Sequence, residues 1–173
     1  MGIEFDALIQ HPEGSWISWP WGYDTAMATV VGWFGPFTSE SAAAAVLLHL
    51  SVAADEAEME AQARALLALG PKAVLLKGGH GSGREAVDIL VTRDAQPVRL
   101  ALLRIDTRNT HGTGCTLSAA IAAGLARGDS ITDAVASAKR FVHDALNAGR
   151  ILKIGGGSGP VDHLHTVRGP RKY

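Results

Sequence analysis

A continuous apolar run that ends at Leu76 and leads into a glycine-rich loop most constrains the fold of this chain. Such a run is typical of a buried strand in an α/β sheet. A helix is predicted before it, because apolar residues recur at helical spacing from Asp55 onward until Gly70-Pro71 ends the pattern. Two more strands are predicted after it, at residues 86–92 and 98–105. These elements together predict an α/β fold.

Two further helices are expected towards the carboxyl terminus. The first is a helix of small residues from about residue 116 to 126, which Gly128 would end. Ser130 is a suitable N-cap for the second, at residues 131–148, where apolar side chains form one stripe. We expect both helices to pack beside the short sheet.

Charged and aromatic residues divide the chain into two parts. All 16 Lys and Arg residues lie from Arg64 onward, whereas all four Trp residues precede Phe34. We therefore expect an atypical, aromatic-rich leader at residues 1–38 and a different domain at residues 39–173.

The part of the chain from Arg64 onward is modestly basic, and such a charge suits a phosphate-bearing ligand. Its charges are spread out and lack a stacking platform, so no nucleic-acid partner is expected.

The sequence contains neither an apolar run of bilayer-spanning length nor a basic-then-apolar secretion signal. These features predict a soluble, cytoplasmic protein with no membrane partner. The single cysteine, Cys115, cannot form an internal disulfide. It is either a small core residue or a reactive thiol in a reducing compartment.

The segment His111-Gly112-Thr113-Gly114-Cys115 lies between a predicted strand and a predicted helix. Free N–H groups converge at a helix N-terminus, where the dipole is positive, and glycines let a phosphate approach the backbone. Cys115 would lie in the first helical turn, where thiols become more acidic, and could take a proton from a substrate hydroxyl. The alternatives are a tight connection and a core cysteine, and spacing alone does not decide between them. The pattern is not a Walker A loop.

Longer motifs resemble the hydroxymethylpyrimidine phosphate kinases, a ribokinase-like family that also includes pyridoxal kinases. The resemblance extends from about residue 39 to 165, which corresponds to the carboxyl-terminal half of the family's chain. Four blocks carry it in family order, namely residues 73–80, Val87-Asp88-Ile89-Leu90, residues 106–120 and residues 155–165.

The resemblance implies roles for individual residues. The anion hole would be formed by Gly112, Thr113, Gly114 and Cys115, with Cys115 as the candidate base. Nucleotide contacts would come from Lys77, Gly78, Gly79 and Lys139. For the two lysines the alternatives are a solvated loop position and a solvated helix position, respectively. The histidines are too scattered to suggest a metal site, and we interpret them as ordinary polar positions.

The same resemblance implies a partial ribokinase-like (Rossmann-like) fold, with a parallel sheet flanked by helices. Lys77 and the 112–115 turn both follow predicted strands at their carboxyl ends, where open α/β sheets bind ligands, so we expect them on the same side of the sheet. ATP and Mg²⁺ would be the cofactors, and hydroxymethylpyrimidine or its monophosphate the substrate.

Residues 1–37 do not resemble the family's amino-terminal half, whose early glycine-rich motif we do not find. Two hypotheses therefore remain open. The chain is a kinase of thiamine biosynthesis, inactive if it is truncated, or it is a non-catalytic nucleotide- or anion-binding remnant. An exposed sheet edge, which another chain could cover, predicts a homo-oligomer.

Overall fold

The structure is a computed structural model that describes residues 28–30, 48–79 and 83–167. The chain forms two compact units, Met1–Ala101 and Leu102–Tyr173. Its elements, in chain order, are β1 (Ala28–Val30), α1 (Glu56–Ala68), β2 (Ala73–Lys77), β3 (Glu85–Thr92), β4 (Val98–Leu103), α2 (Thr113–Ala126) and α3 (Ile131–Gly149). Apart from β1, the expected leader at residues 1–38 lies outside the described residues, as does its tryptophan cluster. Among the described helices, none is both long and apolar enough to span a membrane.

The four strands form one sheet in the order β1-β2-β3-β4. Strand β1 runs parallel to β2, whereas β3 runs antiparallel to β2 with Leu76 opposite Ile89. The predicted parallel sheet is therefore correct for β1 and β2 and wrong for β2 and β3. The physical reason is the connection at residues 78–84, because a parallel crossover needs about a dozen residues or more.

Helix α1 covers one face of β2 and β3. The Asp55 side chain caps it by accepting a hydrogen bond from the Glu58 N–H at 2.8 Å. Its buried side chains and alternate residues of the two strands form one core: Met59, Ala63, Leu66, Val74, Leu76, Val87, Ile89 and Val91. Full burial of a residue such as Leu76 stabilises the fold by roughly 1.5–3 kcal/mol.

Helices α2 and α3 pack against each other in the second unit. Gly124 allows close approach, since a Cβ built on it would lie 3.0 Å from the Ala134 Cβ. Ser130 caps α3 by accepting the Asp133 N–H at 3.1 Å, as its sequence position predicted. Helix α2 begins at Thr113, three residues before the predicted start. This earlier start determines which N–H groups lie at its open end.

The two glycines after β2 differ in their surroundings. A Cβ on Gly78 would collide with the Val87 carbonyl oxygen and would meet the Met59 side chain at 3.1 Å. A Cβ on Gly79 would meet only the Lys77 Nζ, at 3.8 Å. Close strand packing is thus sufficient reason for glycine at position 78.

We expect Gly78→Ala to lower the free energy of unfolding by about 1–3 kcal/mol, because backbone at Val87 must move to admit the methyl group. Gly79→Ala is the matched control and should change it by less than about 0.5 kcal/mol. Urea unfolding followed by circular dichroism measures both values. Equal stability of the two variants would contradict the packing explanation.

Candidate functional site

Gly112 is the N-cap of helix α2 and has a left-handed backbone, with φ +87° and ψ 3°. This conformation costs an L-residue with a side chain roughly 1–2 kcal/mol. A Cβ built at Gly112 would have no neighbouring atom within 4 Å, so the space in front of the turn is open. Glycine is therefore needed here for its conformation and not for close packing.

The first N–H groups of α2 are available to a ligand. The Thr116 N–H donates to the Gly112 carbonyl at 2.9 Å, whereas the Thr113 N–H makes only a 3.5 Å contact to the Thr110 carbonyl. Within the described part of the chain, the N–H groups of Gly114 and Cys115 donate to no backbone carbonyl. Such donors at the positive end of a helix dipole suit an anion. The predicted turn at a helix N-terminus is confirmed, and its role as an anion hole stays a prediction.

A cleft of about 650 Å³ opens beside this turn. Its walls come from α2, α3 and the tail that follows α3, and include Cys115, Thr116, Ala123, Ser137, Phe141 and His163. The Cys115 thiol is free and exposed, so the core-cysteine alternative is wrong. The base role of Cys115 requires this accessibility.

His163 reaches the turn through Thr116. Its Nε2 lies 2.8 Å from the Thr116 Oγ1, which in turn lies 2.7 Å from the Gly112 carbonyl oxygen. The sequence had suggested only ordinary polar histidines, and it identified neither residue as part of the site. The available signal was the tail block of the resemblance, residues 155–165, which includes His163, but a contact across 47 residues leaves no periodic pattern.

The tail also holds the residues that precede the turn. His111 forms a parallel bridge to Pro160, with its N–H donating to the Gly159 carbonyl at 3.0 Å. The Asn109 amide is buried and donates to the Gly149 and Leu152 carbonyls at 2.7 and 2.8 Å. A Cβ on Gly159 would collide with the Asn109 side chain. These contacts anchor the chain immediately before Gly112.

The other predicted nucleotide residues are divided between the two units, with Lys77, Gly78 and Gly79 in the first and Lys139 in the second. Lys77 ends β2 in the first unit and is half-buried, while the Gly78 N–H donates to the buried Asp88 Oδ1 at 3.2 Å. Lys139 is only 8% exposed on α3, so the solvated-helix alternative is wrong; it does not line the cleft. Nucleotide contacts by Lys77, Gly78, Gly79 and Lys139 stay predictions, as does the placement of Lys77 on the side of the turn.

The phosphomethylpyrimidine kinase family model matches residues 36–162. The chain belongs to the phosphomethylpyrimidine kinase family. The hydroxymethylpyrimidine/phosphomethylpyrimidine kinase of Rhizobium meliloti is 52% identical over 128 residues, which cover 74% of this chain and 48% of the relative. The corresponding Salmonella typhimurium kinase is 39% identical over 164 residues, covering 95% and 61%. The chain thus spans about half to three-fifths of the length of these family members.

Solved structures confirm the ribokinase-like α/β fold. The ADP complex of Bacillus subtilis pyridoxal kinase matches with a TM-score of 0.65 and 31% identity, over 72% of this chain and 47% of that one. Staphylococcus aureus pyridoxal kinase in complex with AMP-PCP matches with a TM-score of 0.67 and 32% identity, over 72% and 45%. The antiparallel pairing of β2 and β3 therefore occurs within a chain of ribokinase-like fold.

We expect Gly112→Ala to weaken ATP binding at least about tenfold, because a side chain disfavours the left-handed turn that sets the start of α2. Gly128→Ala is the matched control, since Gly128 also has positive φ, at +91°, with no atom within 4 Å of its built Cβ. Both variants should lose about 1–2 kcal/mol of stability. Only Gly112→Ala should change the affinity measured by calorimetry, and equal affinity in both would contradict an anion site at the turn.

Proposed function

We propose that this chain provides the ATP-phosphate site of a kinase that phosphorylates hydroxymethylpyrimidine or its monophosphate. The observation that carries the proposal is the start of α2 beside a cleft, where the N–H groups of Gly114 and Cys115 donate to no backbone carbonyl of the described residues, in a chain of the phosphomethylpyrimidine kinase family. The substrate class follows the names of its curated relatives, including the one that is 52% identical.

In the proposed reaction, the substrate hydroxyl oxygen attacks the γ-phosphorus of ATP and ADP leaves. Catalysis of this kind depends mainly on positioning and on stabilising charge at the transferred phosphoryl group. The N–H groups of Thr113, Gly114 and Cys115 would donate to its oxygens. The sulfur of Cys115 would accept the hydroxyl proton, a role supported by its free, exposed side chain beside the turn.

The cleft has the chemistry expected beside a nucleotide's phosphates. Ala119, Ala123 and Phe141 give it an apolar wall that suits a flat base, and the charged phosphates would lie at the N–H groups of the turn. Mg²⁺ would arrive with ATP, since no cluster of three His, Cys, Asp or Glu side chains suited to a metal occurs among the described residues. The related Staphylococcus aureus kinase was solved with the ATP analogue AMP-PCP, which supports nucleotide use.

We further infer a cytoplasmic location, where ATP is available, and assembly into a homo-oligomer. Among the described residues, β1 and β4 are the outer strands of the sheet, and strand edges of this kind favour pairing with another chain. Light scattering coupled to size-exclusion chromatography should give a mass above 18.1 kDa. A monomer at all concentrations tested would contradict the assembly.

A second candidate is a nucleotide- or anion-binding protein without kinase activity. It is favoured by the start of α2, because N–H donors at the positive end of a helix dipole suit an anion without any further catalytic group. Calorimetry with ATP and a coupled ADP-release assay with hydroxymethylpyrimidine and Mg²⁺ separate the two candidates.

We expect the chain alone to bind ATP weakly and to release ADP far more slowly than the roughly 1–100 per second of typical kinases. Transfer requires both substrates to be held in line, and positioning can lower the barrier by roughly 7–11 kcal/mol. A rate within the usual kinase range would establish the enzyme and exclude the non-catalytic candidate. Absence of any ATP binding would contradict both.

Cys115→Ala should reduce whatever ADP release is measured by about 10²- to 10⁴-fold, because the proton acceptor is lost. ATP affinity should stay within about twofold, since the backbone donors at the turn remain. Ala122→Ser is a matched control on the same helix, at an exposed position that does not line the cleft. Undiminished turnover in Cys115→Ala would exclude Cys115 as the base.

A further inference from the structure

We propose that Thr116 and His163 are positioning residues that hold the Gly112–Thr113 peptide so that the Thr113 N–H faces a bound phosphate. The inference rests on the proposed function for the presence of the phosphate. Its structural part, the orientation of the peptide and the hydrogen-bond directions, rests on contacts within the second unit alone.

The Gly112 carbonyl is bound by Thr116 through two donors. The Thr116 N–H lies 2.9 Å from the carbonyl oxygen and the Thr116 Oγ1 lies 2.7 Å from it. A carbonyl oxygen has two lone pairs, so both are occupied. Because the peptide unit is planar and trans, fixing this carbonyl also fixes the Thr113 N–H, whose long 3.5 Å contact to the Thr110 carbonyl a bound phosphate would replace.

The direction of the Thr116–His163 hydrogen bond follows from counting protons. The Thr116 hydroxyl has one hydrogen, which it donates to the Gly112 carbonyl. The 2.8 Å contact between Thr116 Oγ1 and His163 Nε2 therefore needs its hydrogen from the histidine. His163 must carry a proton on Nε2, and this donor keeps the threonine hydroxyl turned towards Gly112.

The Gly112 turn needs hydrogen bonds from other residues because Gly112, its N-cap, contributes no side-chain hydrogen bond. Asp55 and Ser130 cap α1 and α3 through their side chains, whereas Gly112 has no side-chain hydrogen bond. Glycine also populates positive and negative φ about equally, so the 112–113 peptide is not held by local preference. Thr116 is 7% exposed and fixed within the helix.

The tail supplies the fixed point for His163. The buried Asp162 donates its N–H to the Ala145 carbonyl at 3.0 Å, and its Oδ1 accepts the Leu164 N–H at 3.1 Å. The residues on both sides of His163 are therefore hydrogen-bonded, and its ring reaches the cleft from an anchored backbone. The positioning path runs from Asp162 through His163 and Thr116 to Gly112.

The test is calorimetric binding of inorganic tripolyphosphate to the full chain. Thr116→Val and His163→Ala should each weaken binding by about three- to tenfold, since a hydrogen bond that orients a donor is lost. Thr116→Ser and His163→Gln keep a hydroxyl and an N–H donor, respectively, and should restore most of the affinity.

The double variant Thr116→Val/His163→Ala should bind no more weakly than Thr116→Val, because both changes interrupt one path. Leu164→Ala is the tail control and should bind like the unsubstituted protein.

Two NMR measurements on the ligand-free protein distinguish failure of this inference from failure of the proposed function. Long-range ¹H–¹⁵N spectra at about pH 8.5, where a histidine is ordinarily neutral, should show a protonated Nε2 at His163. The Thr113 amide resonance should shift in Thr116→Val and not in Thr116→Ser.

An unprotonated Nε2, or an unchanged Thr113 amide, would overturn the inference whether or not phosphate binds. If the unsubstituted protein shows both signals but binds neither tripolyphosphate nor ATP, the proposed function fails and the phosphate-directed role fails with it. If it binds and the variants bind equally well, the positioning role alone is overturned.

Discussion

The left-handed backbone of Gly112 sets the point at which helix α2 begins, and the geometry of the candidate site depends on that point. A helix starting at residue 116, as the sequence indicated, would place its free N–H groups one turn further along the chain. The actual start gives the open end of the dipole to Thr113, Gly114 and Cys115. It also puts the Cys115 thiol on the wall of the cleft. One residue conformation thus brings anion donors and a candidate base together.

The tail after α3 keeps this turn in place. It pairs with His111 as a short parallel bridge, packs Gly159 against the Asn109 side chain and brings His163 to Thr116. These contacts lie on either side of Gly112 in the chain. A binding turn built from small residues has few side chains with which to stabilise itself, so stabilisation must come from a distant segment.

Local patterns in the sequence predicted the elements whose causes are local. Ser130 and the apolar stripe of α3 predicted that helix to within one residue, and the apolar run predicted β2. The antiparallel direction of β3 is consistent with its connection, since residues 78–84 are too few for a parallel crossover, whereas the resemblance implied a parallel sheet. Burial of Lys139 and the contact from His163 depend on packing between distant segments. No spacing or propensity in a single sequence encodes those contacts.

An NMR titration of ¹⁵N-labelled protein with ATP tests the central claim most directly, because it reports on each backbone donor separately. The account predicts that the largest amide shifts occur at Thr113, Gly114 and Cys115, with smaller shifts along the cleft at Ala119 and Ala123. These shifts should diminish as salt is added, since the attraction is to phosphate charge. Saturable ATP binding with the largest shifts elsewhere and unmoved amides at residues 113–115 would contradict an anion site at the start of α2.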